Sequence, residues 1–342
     1  MGIPAITPAD YSDSDRKVWE EELNDFVPQR IFDAHCHMFQ QDHMRPDAKP
    51  TGRSEVDLEK LREWGRTLYP GRDMNFLVLG LPVVGNDPDR HNPWLAKHVA
   101  LAPDSRATRL VPPSCTPEKV AADLDSGAFI GLKPYRVFSV TGDIDLCRIH
   151  EFLTHEQMEV ANEKGCWVTM HLSRPHGCAD EMNLKDLEEY TTKRYPNIKW
   201  ILAHCARSFT YWPIQQAIER LRDMPNIWYD LSAVMNMHPF LTLFQGENLK
   251  RIFFGSDGVN ATFFHGKYVA FGRYWYQVTP DEKFSYAHTD DRPILAIYEQ
   301  ILGMKQAADI AQLSREDIEG IFWRNAHEAL GITSSVGQQP TV

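Results

Sequence analysis

The stretch that decides the fold runs from residue 154 to residue 232, and it repeats one pattern three times. THEQMEVANEKG (154–165) reads as a helix and is followed at once by the apolar run CWVTMH (166–171). LKDLEEYTTKRYPN (184–197) leads into IKWILAH (198–204), and WPIQQAIERLRDMPN (212–226) leads into IWYDLS (227–232). Thr154 suits the cap of the first helix and Gly165 its stop. Pro196-Asn197 ends the second helix, Pro213 fits the first turn of the third, and Pro225-Asn226 ends it. Helix, short turn, then a buried strand is the grammar of a parallel sheet.

Working outward, eight apolar runs of this kind appear, at Arg30–His37, Asn75–Leu81, Thr108–Pro112, Phe129–Pro134, Cys166–His171, Ile198–His204, Ile227–Leu231 and Arg251–Asp257. Eight strands alternating with helices favour closure into a (β/α)8 barrel over an open sheet. The expected organisation is an N-terminal extension over 1–29, a barrel over 30–332 and a disordered tail over 333–342. Residues 11–26 read as a polar helix in the extension, capped by Asp13 or Ser14. Two loops are long: Phe39–Ser54 after the first strand, and Gly258–Asp290 after the eighth. The second holds Phe263, Phe264, Tyr268, Phe271, Tyr274, Trp275 and Tyr276.

Composition narrows the partners. Of the 342 residues, 43% are hydrophobic, enough for one large core. Lys plus Arg number 36 against 47 Asp plus Glu, a net charge of −11. Such a surface argues against nucleic acid or an anionic membrane as the main partner, while a local cationic pocket for a small anionic substrate stays compatible with it. No basic start precedes an apolar run, and no apolar stretch approaches membrane-spanning length, so a cytoplasmic chain is expected. The six scattered cysteines form no CxxC pair and read as free thiols. Pairing into a homodimer is left open.

In a barrel, the C-terminal ends of the strands converge on one mouth. Strand alternation puts His35 and His37 on one face and Cys36 on the other. His171 closes the fifth strand, His204 the sixth, Asp230 the seventh and Asp257 the eighth. Imidazoles and a carboxylate gathered at one rim suit a divalent metal, zinc first with manganese or iron as alternatives. Most of the 14 histidines are read as structural or superficial, among them His91, His98, His150, His155 and His327. Each mouth motif also carries a cation: Lys133 with Arg136, His171 with Arg174, His204 with Arg207. Arginine's planar fork matches a carboxylate, so these four are candidate contacts to an anionic substrate. Asp230 is read mainly as a partner for a neighbouring side chain.

The ordered set VPQRIFDAHCH (27–37), GLKPYR (131–136), WVTMHLSR (167–174), ILAHCAR (201–207), RIFFGSD (251–257) and IFWRNAHEALG (321–331) resembles the amidohydrolase superfamily. Within it, the nearest branch is the amidohydrolase-related group that includes the aminocarboxymuconate-semialdehyde decarboxylase-like enzymes. The resemblance covers about residues 28–332. It implies His35, His37, His171 and Asp257 as metal ligands, one ion rather than two, and Asp257 as the group that takes a proton from the attacking water. It makes His204 a second-metal ligand or a residue that polarises the substrate. Lys133 stands where some relatives carry a carboxylated lysine bridging two metals; a charged lysine facing a substrate anion is the preferred reading. The implied activity is hydrolysis of an amide, lactone or ester by a metal-activated water. The alternative is non-oxidative decarboxylation of an aromatic or unsaturated acid at the same site.

Overall fold

The computed structural model describes residues 6–279, 288 and 292–332. Eight parallel strands follow one another in sequence order: β1 (Arg30–Met38), β2 (Asp73–Gly80), β3 (Arg106–Leu110), β4 (Gly131–Lys133), β5 (Trp167–Met170), β6 (Lys199–Leu202), β7 (Ile227–Asp230) and β8 (Ile252–Phe253). Each pairs in parallel with the next. The ring is joined where β8 meets β1: the Ala34 amide donates to the Phe254 carbonyl at 2.9 Å, and the Asp257 amide donates to the His35 carbonyl at 2.7 Å. The fold is the expected (β/α)8 barrel.

The helices between the strands end where their sequences say. Thr154 accepts from the Gln157 amide while Gln157 reaches back to the Thr154 amide, a reciprocal capping box, and Gly165 ends that helix at φ 59°. In the N-terminal extension the cap is Ser12 rather than Asp13 or Ser14, because Asp15 at the third helical position closes the box with Ser12. The tail 333–342 lies outside the described residues. All six cysteines are free thiols, five buried and Cys115 half-buried. No helix among the described residues is long and apolar enough to cross a membrane.

Period-two alternation divides the strands into two faces. Outward residues such as Ile31, Val78, Val168, Trp200 and Ile252 pack on the helices. Inward residues Phe32, Leu77, Leu79, Trp167, Ile201 and Phe253 form a separate apolar cluster in the barrel, completed by Ala326, Leu330 and Ile332 of the C-terminal segment. That segment seals the N-terminal end: the Asn325 side-chain amide donates to the carbonyls of Leu249 and Ile252, and the Arg30 guanidinium stacks over Trp323. The other end is left open and polar.

The long segment after β8 is not all irregular. Lys267–Phe271 (β9) and Tyr274–Val278 (β10) pair as an antiparallel hairpin beside the mouth. Residues 280–287 and 289–291 of that segment lie outside the described residues.

Candidate metal centre

The end of β1 carries an irregularity that sets the site. Its register with β2 slips between Asp33 and Cys36. Ala34 belongs to the inner cluster, and His35 next to it also lines the mouth cavity, so two successive residues face inward. Such a bulge re-aims side chains at a strand end. Beyond it alternation resumes: Cys36 lies in the outer core and His37 in the cavity. At the end of β8, Gly255 lets the strands close up, because a Cβ there would stand 2.9 Å from the His35 Cβ. Asp33 then ties the two ends. It accepts from the Ser256 amide at 2.9 Å, the Ser256 hydroxyl at 2.5 Å and the His35 amide at 3.1 Å. Burial, only partly offset by these bonds, pushes the Asp33 carboxyl up to about 7.

A cavity of about 400 Å³ opens at the mouth, lined by His35, His37, His171, His204, Lys133 and Asp257 among others. Every imidazole has its Nδ1 against an acceptor. His35 Nδ1–H donates to Asp230 Oδ2 at 2.8 Å, and His37 Nδ1–H to the Gly80 carbonyl at 3.3 Å. His171 Nδ1–H donates to the Leu172 carbonyl at 2.9 Å, and His204 Nδ1–H to the Ser232 carbonyl at 3.0 Å. Carbonyls and carboxylates only accept, so Nδ1 carries the proton and Nε2 is left bare in each neutral ring. Burial favours that neutral form in all four, holding them below the usual histidine range.

The consequence is a cluster of acceptors without a donor. His35 Nε2 and His37 Nε2 lie 3.2 Å apart, and Asp257 Oδ1 lies 3.4 Å and 3.1 Å from them. Lone pairs and negative charge converge on one point, an arrangement that a divalent cation fits and that nothing else among the neighbouring groups satisfies. Asp257 stays ionised: burial opposes its charge, but the imidazoles of His37, His204 and His35 around it hold the carboxyl well below the usual carboxylate range.

Among the described residues, two trios bring their ligand atoms within 4.8 Å of one another: His35–His37–Asp257 and His35–His204–Asp230. In the second, Asp230 is committed elsewhere. Its Oδ2 takes the His35 proton, and its Oδ1 accepts from the amides of His204 and Ser232 at 3.1 Å each and from the Ser232 hydroxyl at 2.5 Å. Asp230 therefore orients the His35 imidazole from behind, as a carboxylate–histidine pair does in metal sites, and anchors the His204 backbone and the Ser232 hydroxyl beside the His204 ring. His171 lines the same cavity, its ring centroid 5.0 Å from that of His204, but belongs to neither trio.

Lys133, at the end of β4, is fully buried, and its Nζ has no hydrogen-bond partner. Burial lowers its ammonium to about 8, against the opposing pull of Asp257 and Asp230. Arg136 also lines the cavity, with one nitrogen on Asp145 at 2.8 Å and its Nε buried without a partner. Arg174 and Arg207 lie outside the cavity lining. Arg174 is held by Asp180 at 2.7 Å, and Arg207 donates to the Arg174 carbonyl.

Several contributors were not singled out from sequence. Arg53, in the loop after β1, lines the cavity and has no acidic partner among the described residues. Its loop is pinned by Asn260, which accepts from the Ser54 amide at 2.8 Å and donates to the Ser54 carbonyl at 3.0 Å. Phe209, likewise missed, forms an aromatic wall with Tyr268 and Trp275 of the aromatic segment that the sequence did single out, the Phe209 and Trp275 centroids standing 4.4 Å apart. The turn after β6 is left-handed over four residues without glycine: His204, Cys205, Ala206 and Arg207 have φ of 59°, 50°, 57° and 61°. That conformation costs about 1–2 kcal/mol per residue. Asp257, Arg174 and Ala233 also have positive φ, so the non-glycine strain gathers at the ends of β5 to β8.

The fold and this geometry agree with comparison to known proteins. Solved structures share the fold at low identity. A probable 2-pyrone-4,6-dicarboxylic acid hydrolase from Acinetobacter baumannii, crystallised with citric acid, is 14% identical, with 88% of this chain and 99% of that one covered and a TM-score of 0.56. The 5-carboxyvanillate decarboxylase of Sphingomonas paucimobilis is 16% identical over 90% and 100% of the two chains, at a TM-score of 0.55. The 4-oxalomesaconate hydratase of Rhodopseudomonas palustris is 16% identical over 88% and 95%, at 0.51. No curated protein matches the chain. The family model described as amidohydrolase matches residues 32–332, nearly the whole barrel. The chain belongs to the amidohydrolase family and is an enzyme of that family.

Proposed function

We propose that the protein is a metal-dependent hydrolase that opens an amide, lactone or ester bond in a small carboxylate-bearing substrate. The observation that carries this reading is the donor-free convergence of His35 Nε2, His37 Nε2 and Asp257 Oδ1. These three, with His171 completing the set across the cavity, would hold one divalent ion, zinc before manganese or iron. Asp230 has no oxygen left over for a second ion, which supports one rather than two. A cation bound there supplies Lewis acidity, acidifying water and polarising a carbonyl.

The chain's own residues do the rest. Asp257 presents Oδ1 to the histidines and leaves Oδ2 to accept the proton of the attacking water and return it to the leaving group. His204, with Nδ1 tied to the Ser232 carbonyl, offers Nε2 to the attacked carbonyl and stabilises the charge that grows there. The unpartnered ammonium of Lys133 and the Arg136 guanidinium meet the substrate carboxylate, with Arg53 on the same cavity wall. Hydrolases, a hydratase and decarboxylases share this barrel, and the same cationic mouth suits loss of carbon dioxide as well as hydrolysis.

A panel of lactone, amide and aromatic acids tests the reading, followed by ring opening or amine release on one side and carbon dioxide on the other. Hydrolysis of a carboxylate-bearing member, absent for its uncharged ester analogue, is expected. Carbon dioxide release without bond hydrolysis would replace the hydrolase with a decarboxylase.

A further inference from the structure

One buried carboxylate of the N-terminal extension holds the segment that carries the aromatic wall. Asp15 lies in the helix Asp13–Val18, and its side chain is fully buried. Its Oδ1 accepts from the Leu295 amide at 2.8 Å. Its Oδ2 accepts from His265 Nε2 at 2.8 Å and from the Ser12 amide and hydroxyl at 2.8 Å and 2.6 Å. His265 and Leu295 bound a single excursion of the chain, which forms β9 and β10 and returns into the helix Ala296–Ala311. The two ends also pair with each other: the Gly266 amide donates to the Ile294 carbonyl at 3.0 Å, and the Ala296 amide to the Phe264 carbonyl at 2.8 Å. A Cβ at Gly266 would stand 2.2 Å from the Val278 carbonyl oxygen, so the hairpin stems directly from this junction.

The hairpin reaches from this junction into the site. Tyr268, three residues past His265, and Trp275 line the metal cavity. Trp275 packs on Phe209 at 4.4 Å, and Phe209 stacks on the His204 ring at 5.5 Å and 29°. A continuous run of rings thus links the hairpin to His204. The barrel supplies further ties, Lys267 to Glu299 at 2.8 Å and the Tyr268 hydroxyl to the Ala261 carbonyl at 3.1 Å. A lone two-stranded hairpin is marginally stable, so its position depends on such ties. The bond to Asp15 is of the stronger kind, because its acceptor is ionised and shut off from water. Burial works against the Asp15 charge, but the bonds from His265, Ser12 and Leu295 hold its carboxyl below the usual range. Removing one donor leaves a buried charge short of partners, which favours release of the junction.

We propose that Asp15 and His265 are positioning residues for the mouth: their bond latches the β9–β10 hairpin and thereby sets the Trp275–Phe209 wall against which the flat part of a substrate rests. The N-terminal extension supplies no residue to the lining of the metal cavity among the described residues, yet it governs the shape of one wall. The consequence for substrate rests on the function proposed above; the placement of the hairpin does not.

Hydrogen exchange read by mass spectrometry tests the latch without a ligand. In His265→Ala and in Asp15→Asn, the amides of 267–278 should exchange about tenfold faster than in the wild type, while those of β1 and β5 keep their rates. Glutamine presents an amide donor near the place of the histidine Nε2, so His265→Gln should restore slow exchange, which a loss of bulk packing would not explain. Calorimetry on the metal-loaded protein tests the consequence. Benzoate should bind His265→Ala about tenfold more weakly than the wild type, whereas acetate, which reaches the cations but is too short for the wall, should bind both within about twofold. If the hairpin amides exchange at wild-type rates in both variants, the latch is wrong and the proposed function stands. If the hairpin loosens but benzoate affinity holds, the positioning role is overturned. If neither acid binds the wild-type protein, the carboxylate-binding reading above fails, and the exchange rates alone decide the latch.

Discussion

The two ends of this barrel are built from the same eight strands by opposite rules. At the N-terminal end, Phe32, Leu77, Trp167 and Phe253 bury one another and the chain closes over them with Ala326, Leu330 and Ile332. At the C-terminal end, the same strands finish in imidazoles, carboxylates, a buried lysine without a partner and backbone held at positive φ. The lower end stabilises the molecule by removing apolar surface from water. The upper end gathers like-natured acceptors and an unpaired charge that an unliganded protein would do better without. Stability and chemistry are thus separated along the strand axis, and substitutions at the two ends should separate in the same way.

The largest contrast is expected at the upper end. Asp257→Asn should lower kcat about 10³-fold through loss of the proton acceptor, with the thermal midpoint unchanged or raised, as steady-state kinetics and calorimetry on one preparation would reveal. Phe32→Ala should do the reverse, costing about 3–5 kcal/mol of unfolding free energy in urea while kcat of the remaining folded enzyme stays near wild type. If it lowered kcat as Asp257→Asn does, the two ends would not be independent.

Smaller effects sharpen the boundary. Asp230→Asn keeps the shape but weakens the bond that orients His35. Metal affinity measured against a competing chelator should fall about 10–100-fold, and an unchanged affinity would place Asp230 outside the metal's support. Lys133→Met should raise KM for a carboxylate substrate about tenfold while increasing stability, since it removes a buried ammonium that nothing pairs. The same lysine sets a pH limb. Its folded-state value is lowered to about 8, so its charge is present below that pH and lost above it. Activity on an anionic substrate, read as kcat/KM, should therefore decline through pH 8 on the alkaline side, and Lys133→Arg should move the decline to higher pH.

Much of this was legible in the sequence for a physical reason: buried parallel strands are nearly continuous apolar runs, and what ends them is conspicuous. His171, His204, Asp230 and Asp257 each close such a run, and Thr154 and Gly165 bound their helix as their side chains dictate. The mouth's second layer was less visible. Alternation separates His35 and His37 from Cys36, but the bulge beside Ala34 depends on how β1 meets its neighbours. The role of Gly255 follows from a close approach to His35, 220 positions away in sequence (255 − 35). The cations show the limit best. Lys133, Arg136, Arg174 and Arg207 look alike as strand-end cations, yet Asp180 captures Arg174, and Arg207, bonded to the Arg174 carbonyl, does not line the cavity. The segment after β8 reads as an aromatic loop because its strands, partly exposed and rich in aromatic residues, lack the buried runs that mark the barrel.

The central claim is that His35, His37 and Asp257, with His171, hold one divalent cation. Elemental analysis of the purified wild-type protein, beside His35→Asn and His37→Asn, tests it most directly. The account predicts about one equivalent of a divalent transition metal per wild-type chain and less than about a tenth in each variant, with all three proteins folded. A wild-type protein that carries no such metal, and gains no activity when zinc or manganese is supplied, would contradict it.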